Sequence, residues 1–489
     1  MSDPRIVSER PLVLQIEKAI YGGAGLARHD GKAIFIPYTL PDETVSAIVT
    51  HSKASFAEAA LKEIIEPSAA RVEPPCPYFG HCGGCHYQHA GYPAQLAIKE
   101  AVLLETLTRA HLAPLPAVVI HSGAPLSYRN RIRLHLNPVA MKAGDVLGYR
   151  ARGTHELIAI DQCPIALPRL EEAIRPLATL LIEQACAPYF GQVELSLNHD
   201  GSELLLALWL RERSNPDEAN AHLAQLCPAL ARSLPRLRGA CVHGAAQAAG
   251  ALAGAPPRLP KHGARQKRQS EGVDRRPEEP GAESASRLPV ATWGAQSMTY
   301  RIGAFDYRVS LGSFFQVNHS LLEVLVRLAT GGRSGALAWD LYAGVGLFSR
   351  VLAGSFGQVI AVEGAPGSSA DLRVNLAAPD LAAPHRAICS STLDFLRREA
   401  SPPGGSKARR ERPNFVLVDP PRSGLGEEVT RLLAQIGPAD ITYVSCDPAT
   451  LSRDLRGLVD SGYKLQQLHL IDLFPQTFHL ETVALLSRP

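Results

Sequence analysis

The strongest chemical signal in this 489-residue sequence is a cysteine between two polar residues at the end of an apolar run, Val444-Ser445-Cys446-Asp447-Pro448. An apolar run that breaks at Pro448 reads as a strand entering a turn, the place where α/β folds present side chains to a ligand crevice. A thiol there can attack as a nucleophile. The bland alternative is a buried structural cysteine, and Ser445 and Asp447 weigh against it. Val418-Asp419-Pro420-Pro421-Arg422 ends another apolar run in the same way and brings a carboxylate to the same edge.

A second set of thiols is compact. Cys76, Cys82 and Cys85 lie within ten residues, in the pattern Cys-x5-Cys-Gly-Gly-Cys, and Cys163 follows much later in Asp161-Gln162-Cys163-Pro164. Four thiolates suit either an iron–sulfur cluster or structural zinc, and spacing alone slightly favours zinc. Between them runs Tyr128-Arg129-Asn130-Arg131-Ile132-Arg133-Leu134-His135-Leu136. Strand alternation puts Arg129, Arg131, Arg133 and His135 on one face. A row of guanidiniums beside an aromatic suits phosphate and base contacts in folded RNA.

The third signal is a glycine turn. Trp339-Asp340-Leu341-Tyr342-Ala343-Gly344-Val345-Gly346 runs from an apolar strand pattern into a helical one over 347–353. Gly344 lets backbone approach a ligand, and Glu363, 17 residues after Gly346, ends the next strand pattern where it can accept from ribose hydroxyls. A single Gly-x-Gly without a third glycine favours S-adenosylmethionine over a dinucleotide. Amino-group methyltransferases follow the Asp-Pro-Pro turn with an aromatic that stacks the target base. Here the residue is Arg422, which argues against amino methylation.

Together these residues resemble the RNA uracil-C5 methyltransferase family, the 23S rRNA and tRNA 5-methyluridine enzymes. The likeness rests on Ser313-Phe314-Phe315-Gln316-Val317-Asn318, the turn from Asp340 to Gly346, Asp419-Pro420-Pro421-Arg422-Ser423-Gly424, Ser445-Cys446-Asp447-Pro448-Ala449-Thr450-Leu451, and Phe478-His479-Leu480-Glu481-Thr482-Val483. It covers nearly the whole chain apart from 244–290. The resemblance implies Cys446 as nucleophile and Glu481 as base, with Gln316, Tyr342, Glu363 and Asp419 at the cofactor and base sites. It also turns the metal question toward a [4Fe-4S] cluster on Cys76, Cys82, Cys85 and Cys163. Leu347 stands where many members place a polar residue, and no cofactor contact is assigned to it.

The chemistry explains these residue types. Uracil C5 is too poor a nucleophile to take a methyl group directly. A thiolate adding at C6 makes an enolate whose C5 can attack a methylsulfonium. A free cysteine is only a few per cent thiolate at neutral pH, so local activation is expected. A base must then remove the C5 proton so that the thiolate can leave, and the target nucleotide must be unpaired or flipped out. A radical S-adenosylmethionine enzyme would need a Cys-x3-Cys-x2-Cys set, which is absent. A non-catalytic iron–sulfur RNA-binding protein gives no reason for Cys446 beside a complete cofactor turn.

The elements that carry these residues fall into four segments. Residues 1–68 hold short strands punctuated by Gly and Pro, a small barrel resembling a TRAM domain through Gly22-Gly23-Ala24-Gly25 and the corner Leu40-Pro41-Asp42-Glu43. Residues 69–243 form a central α+β domain with the cysteine cluster and the arginine strand, a helix over 93–111 and a hairpin turn at Asn198-His199-Asp200-Gly201. Residues 244–290 contain no aromatic residue and read as a disordered insertion, whose basic stretch at 261–268 reads as a solvated tail. Residues 291–489 alternate strands, at 336–340, 359–363, 414–419, 441–445 and 482–486, with helices, a Rossmann-like α/β fold interrupted by a flexible loop at 400–413.

A 46% hydrophobic, 20% charged chain with net charge +3 is an ordinary globular protein in which any basic surface must be local. An odd count of nine cysteines and no apparent export signal argue for a reducing compartment. The expectation is a cytosolic, monomeric RNA methyltransferase, acting on rRNA rather than tRNA.

Overall fold

The structure is a computed structural model, and it describes residues 10–245, 289–381, 385–400 and 411–488. The insertion at 244–290, except for its ends, and the core of the 400–413 loop lie outside the described residues. Among the described residues no helix is long and apolar enough to cross a membrane.

The N-terminal segment forms a six-stranded sheet in the order Leu12–Gln15, Thr44–Ser52, Phe56–Glu66, Lys32–Pro37, Ala24–His29, Lys18–Ala19. Period-two alternation turns Leu14, Ile34, Ile36, Val45, Ala47 and Val49 into one core. At the corner, Asp42 takes a left-handed φ of 67°, a conformation Asp tolerates better than most residues. Glu43 beside it is fully buried. Its carboxylate accepts from the Leu40 N–H at 2.8 Å and from Arg71, which fastens the sheet to the segment leading into the cysteines.

A seven-stranded sheet follows, in the order Leu157–Ala159, Leu147–Arg150, Arg131–Leu136, Phe190–Leu197, Leu204–Leu210, Leu237–His243, Ala291–Gly294. The hairpin expected at 198–201 joins the strands Phe190–Leu197 and Leu204–Leu210. The apolar stripes of helices Pro168–Glu183 and Ala219–Ser233 share this sheet's core.

The C-terminal sheet has eight strands: Arg386–Cys389, Phe356–Glu363, Gly335–Leu341, Phe415–Val418, Asp440–Ser445, Glu481–Ser487, Lys464–Ile471 and Val118–His121. The first five run parallel and Glu481–Ser487 runs antiparallel. Every strand expected from the α/β pattern is present. The helical pattern at 347–353 is realised only as the single turn Ser349–Leu352.

Two segments lie across the boundaries drawn from sequence. Helix Tyr92–Arg109 and strand Val118–His121, assigned to the central region, complete the C-terminal sheet. The strand pairs parallel with Lys464–Ile471, and Val102, Leu103 and Leu107 share a core with Leu451, Leu455 and Leu458. Conversely, Ala291–Gly294 pairs with Leu237–His243 in the central sheet, so the chain leaves and re-enters the insertion on neighbouring strands. Local pattern identifies a strand but not which sheet it joins, because the partner is set by tertiary pairing, for Val118–His121 with a strand about 350 residues away.

Candidate active site

The chemistry-bearing residues gather at the carboxyl ends of the parallel strands, where the order reverses on either side of Gly335–Leu341. Asp419 directly follows Phe415–Val418, and Cys446 directly follows Asp440–Ser445. Glu481 opens the antiparallel strand beside it. The register pairs Ser445 with Thr482, so Cys446 and Glu481 stand at the next position of the same ladder. Two residues distant in sequence thus meet because one strand ends where its antiparallel neighbour begins.

Their electrostatics are tightly linked. Burial pushes the Cys446 thiol well up, and the Glu481 and Asp419 carboxylates push it further, while Arg422 opposes them. Glu481, 3% exposed, is itself held far above the ordinary carboxylate range by burial and then by Asp419, again with Arg422 opposing. Asp419 is raised by burial and by Asp340. The sequence reading expected an activated thiol. Instead, the carboxyls of Glu481, Asp419 and Asp447 crowd the thiol, and Arg422 is the cation that faces both it and Glu481. Arg422 Nη2 also lies 3.4 Å from Nε2 of His479, whose imidazole burial keeps neutral.

The loop after Cys446 is rigidly built. Asp447 caps helix Pro448–Asp460, its Oδ1 accepting from the N–H groups of Ala449 at 3.0 Å and Thr450 at 2.9 Å. Its Oδ2 accepts from the Tyr21 hydroxyl of the N-terminal sheet at 3.1 Å. The Thr450 hydroxyl donates to the Arg422 carbonyl and ties the two strand-end turns together.

The glycine turn lies alongside. Tyr342 and Gly344 take φ of 64° and 56°, and a Cβ added at Gly344 would meet nothing within 4 Å, so the turn is open above. Glu363 accepts from the Gly344 N–H at 2.8 Å and the Ala365 N–H at 2.6 Å, leaving a lone pair on each oxygen for a further donor. Asp340 is fully buried, one oxygen accepting from Ser349 and the other without a protein partner. Burial raises its pKa to about 7. An open turn, an acid at the next strand end and an unpartnered carboxylate oxygen fit a nucleoside cofactor. Gln316 is buried in the segment between Phe305–Ser310 and helix Leu322–Thr330.

Comparison with known proteins names the chemistry. The sequence model of the tRNA (uracil-5-)-methyltransferase family matches residues 296–489. The chain is 31% identical over 486 residues to the 23S rRNA (uracil(1939)-C(5))-methyltransferase RlmD of Pectobacterium atrosepticum, covering 95% of this chain and 90% of that protein. It is 32% identical over 468 residues to the RlmD of Shewanella sp., covering 95% and 92%. The chain belongs to the RNA uracil-C5 methyltransferase family. It is an S-adenosylmethionine-dependent enzyme that acts on RNA. An RNA methyltransferase of Aquifex aeolicus is 30% identical over 490 residues, covering 98% of this chain and 99% of that one. The fold matches the crystal structure of the Pyrococcus abyssi tRNA (uracil-54, C5)-methyltransferase bound to S-adenosyl-L-homocysteine, with a TM-score of 0.66, 22% identity, and 97% and 100% of the two chains covered.

In this methyltransferase Cys76, Cys82, Cys85 and Cys163 are all free and within electrostatic reach of one another: Cys82 feels Cys163 and Cys76, and Cys85 feels Cys163 and Cys82. Burial raises all four thiols. Among the described residues no three metal-ligating side chains group as a site for a single metal ion.

The arginine row is not the free cationic face expected from alternation. The strand begins only at Arg131, and the Arg129 guanidinium turns toward Cys85, Cys163 and Tyr149. Arg131 donates to the Ser313 carbonyl at 2.9 Å and pairs with Glu194 at 3.6 Å. Arg133 pairs with the same buried Glu194 at 2.9 Å and stacks on Trp209, its centre 4.4 Å from the ring, with only about half its side chain exposed. Glu194, on the neighbouring strand, supplies the countercharge that alternation along one strand cannot reveal. Tyr21 escaped sequence reading for the same reason, since it sits in a turn of the N-terminal sheet while its partners Asp447 and Phe478 belong to loops of the C-terminal fold.

Proposed function

We propose that this methyltransferase forms 5-methyluridine in 23S rRNA through a covalent adduct between Cys446 and C6 of the target uridine. The observation that carries the reading is the shared ladder position of Cys446 and Glu481, with Asp419 and Arg422 around them. In this scheme the Cys446 sulfur adds to C6 and the electron pair moves onto the C4 carbonyl oxygen. When bound, S-adenosylmethionine would supply an electrophilic methyl group, and Tyr342, Gly344, Glu363, Gln316 and Asp419 are the residues that would hold it. C5 would take that methyl group as the bond from the sulfonium sulfur breaks, leaving S-adenosylhomocysteine; Glu481 then removes the remaining C5 proton, and the re-formed C5–C6 double bond expels the Cys446 thiolate. Arg422 offsets negative charge on the thiolate and on Glu481. The flipped uridine must enter a pocket that keeps these groups dry.

The same reading assigns a [4Fe-4S] cluster to Cys76, Cys82, Cys85 and Cys163. Its support is a set of four free thiols, Cys163 buried and the other three partly so, with Cys85 and Cys163 facing the Arg129 cation, a donor set suited to a multi-iron cluster. The N-terminal sheet acts as a TRAM-like RNA-binding barrel, and the enzyme works as a monomer in the cytosol, whose reducing conditions suit nine free cysteines. The substrate assignment draws on the likeness to the two RlmD proteins. Mass mapping of 5-methyluridine in ribosomal and transfer RNA, with and without the gene, tests it. Loss of one methyl group in 23S rRNA is expected. Loss in tRNA would move the substrate to that class, and loss in neither would overturn the reading.

A further inference from the structure

The N-terminal sheet reaches the active site at one turn. Gly22 and Gly23 take φ of 103° and 83°, and a Cβ on Gly23 would come within 3.0 Å of the His86 side chain, so only glycine lets the turn approach this closely. Tyr21, the residue before them, is carried past the sheet edge. Its hydroxyl meets Asp447 Oδ2 at 3.1 Å, and its ring stands edge-on to Phe478 with centroids 5.4 Å apart. Asp447 follows Cys446, and Phe478 lies three residues before Glu481. One side chain from the N-terminal sheet therefore touches both the nucleophile's loop and the base's loop. The contact is braced from two sides. His86 packs against Phe478 at 4.6 Å between centroids, and Lys18 pairs with Glu105 of helix Tyr92–Arg109.

We propose that Tyr21 is a positioning residue for methyl transfer: its hydroxyl holds the Asp447 carboxylate in its helix-capping pose, and its ring fixes Phe478, so that Cys446 and Glu481 stay in register. The inference rests on the reading of Cys446 as nucleophile. Asp447 is one of three carboxylates that disfavour the Cys446 thiolate, with Glu481 and Asp419, and Arg422 is the opposing cation. A hydrogen bond from a neutral phenol takes up part of the Asp447 charge. The phenol stays neutral, since burial, Asp447 and the Cys446 thiolate all oppose its ionisation while Arg422 alone favours it. Without the hydroxyl, the Asp447 carboxylate faces the thiolate with nothing on Oδ2.

Tyr21→Phe keeps the ring contact and removes only the donor. In the full-length protein loaded with its cofactors, kcat on an rRNA transcript should fall about tenfold, with KM changed less than about twofold. The pH profile of Cys446 alkylation by iodoacetamide, followed by peptide mass mapping, should move its midpoint up by about half a unit or more. Adding Asp447→Asn, which keeps a capping oxygen but removes the charge, should return the midpoint to or below the wild-type value. A rise in KM with kcat and the alkylation profile unchanged would make Tyr21 an RNA contact and overturn the proposal. So would unchanged kinetics and profile together. Cys446→Ala is the control on the underlying reading: if it still methylates RNA, the nucleophile assignment fails, whatever Tyr21→Phe does.

Discussion

Lys99 Nζ lies 2.6 Å from Asp472 Oδ1, and neither side chain is more than 1% exposed. The ammonium also donates to the Phe474 carbonyl at 3.0 Å. One turn earlier on the same helix, Gln95 donates to Gln476 Oε1 at 2.9 Å and accepts from the Gln476 N–H at 3.0 Å. Asn318 and Tyr128 donate to the carbonyls of Leu473 and Pro475. Helix Tyr92–Arg109 thus clamps the segment 472–476 that delivers Phe478, His479 and Glu481 to the site.

Breaking that clamp should be costly. Lys99→Met leaves a buried carboxylate uncompensated and should destabilise the C-terminal sheet by about 3–5 kcal/mol. Lys99→Met with Asp472→Leu should recover most of the loss. Hydrogen exchange of strand Glu481–Ser487 reads both, and equal destabilisation by the single and double variants would count against a buried ion pair.

Glu481→Gln separates addition from release. Gln retains size and a hydrogen-bonding group but cannot take the C5 proton. Addition and methyl transfer proceed while elimination stalls. A methylated protein–RNA adduct that survives denaturing electrophoresis should accumulate, and Cys446→Ala should form none. Normal turnover by Glu481→Gln would assign the base to another group, with neutral His479 the nearest candidate.

The pH dependence of the same carboxyl has a definite sign. Asp419 raises Glu481 by like-charge repulsion. Asp419→Asn should therefore move the acid limb of the single-turnover rate profile to lower pH, even where its height falls. A limb that stays in place would show that a different group sets it.

Stability should follow from the same shift. A carboxyl whose folded pKa lies above its unfolded value penalises the fold once pH exceeds the unfolded value, and fully above the folded one. Glu481→Gln should thus leave the melting temperature unchanged near pH 4 and raise it progressively toward alkaline pH. A gain that is constant with pH would point to packing instead of charge.

Iron provides an independent check. Protein purified without oxygen should be brown and carry about four irons per chain, and Cys163→Ser should lose both colour and iron. Stoichiometric zinc without visible absorption would replace the cluster by a structural site.

What the sequence made legible was the part written locally. Cys446, Asp419 and Glu363 each end an apolar run, and strand ends of an α/β pattern converge on one edge, so their meeting followed from the pattern. Glu481 needed the family likeness, since its place depends on an antiparallel neighbour. The fates of Arg131 and Arg133 depended on Glu194 across a strand pairing, and Tyr21 on docking between two sheets. Side-chain periodicity along one strand carries no information about either.

The last consequence belongs to the short edge strand Val118–His121. The segment matched to the family, from residue 296 onward, would by itself present the bare edge of Lys464–Ile471 and an apolar trough where helix Tyr92–Arg109 had been. An unpaired edge and an uncovered hydrophobic face invite association with other chains. The portion that reads as an enzyme is therefore not a portable module. It cannot be excised, fused elsewhere or made alone without the earlier stretch that finishes its sheet, and the C-terminal part of the chain and that stretch are obliged to fold as one.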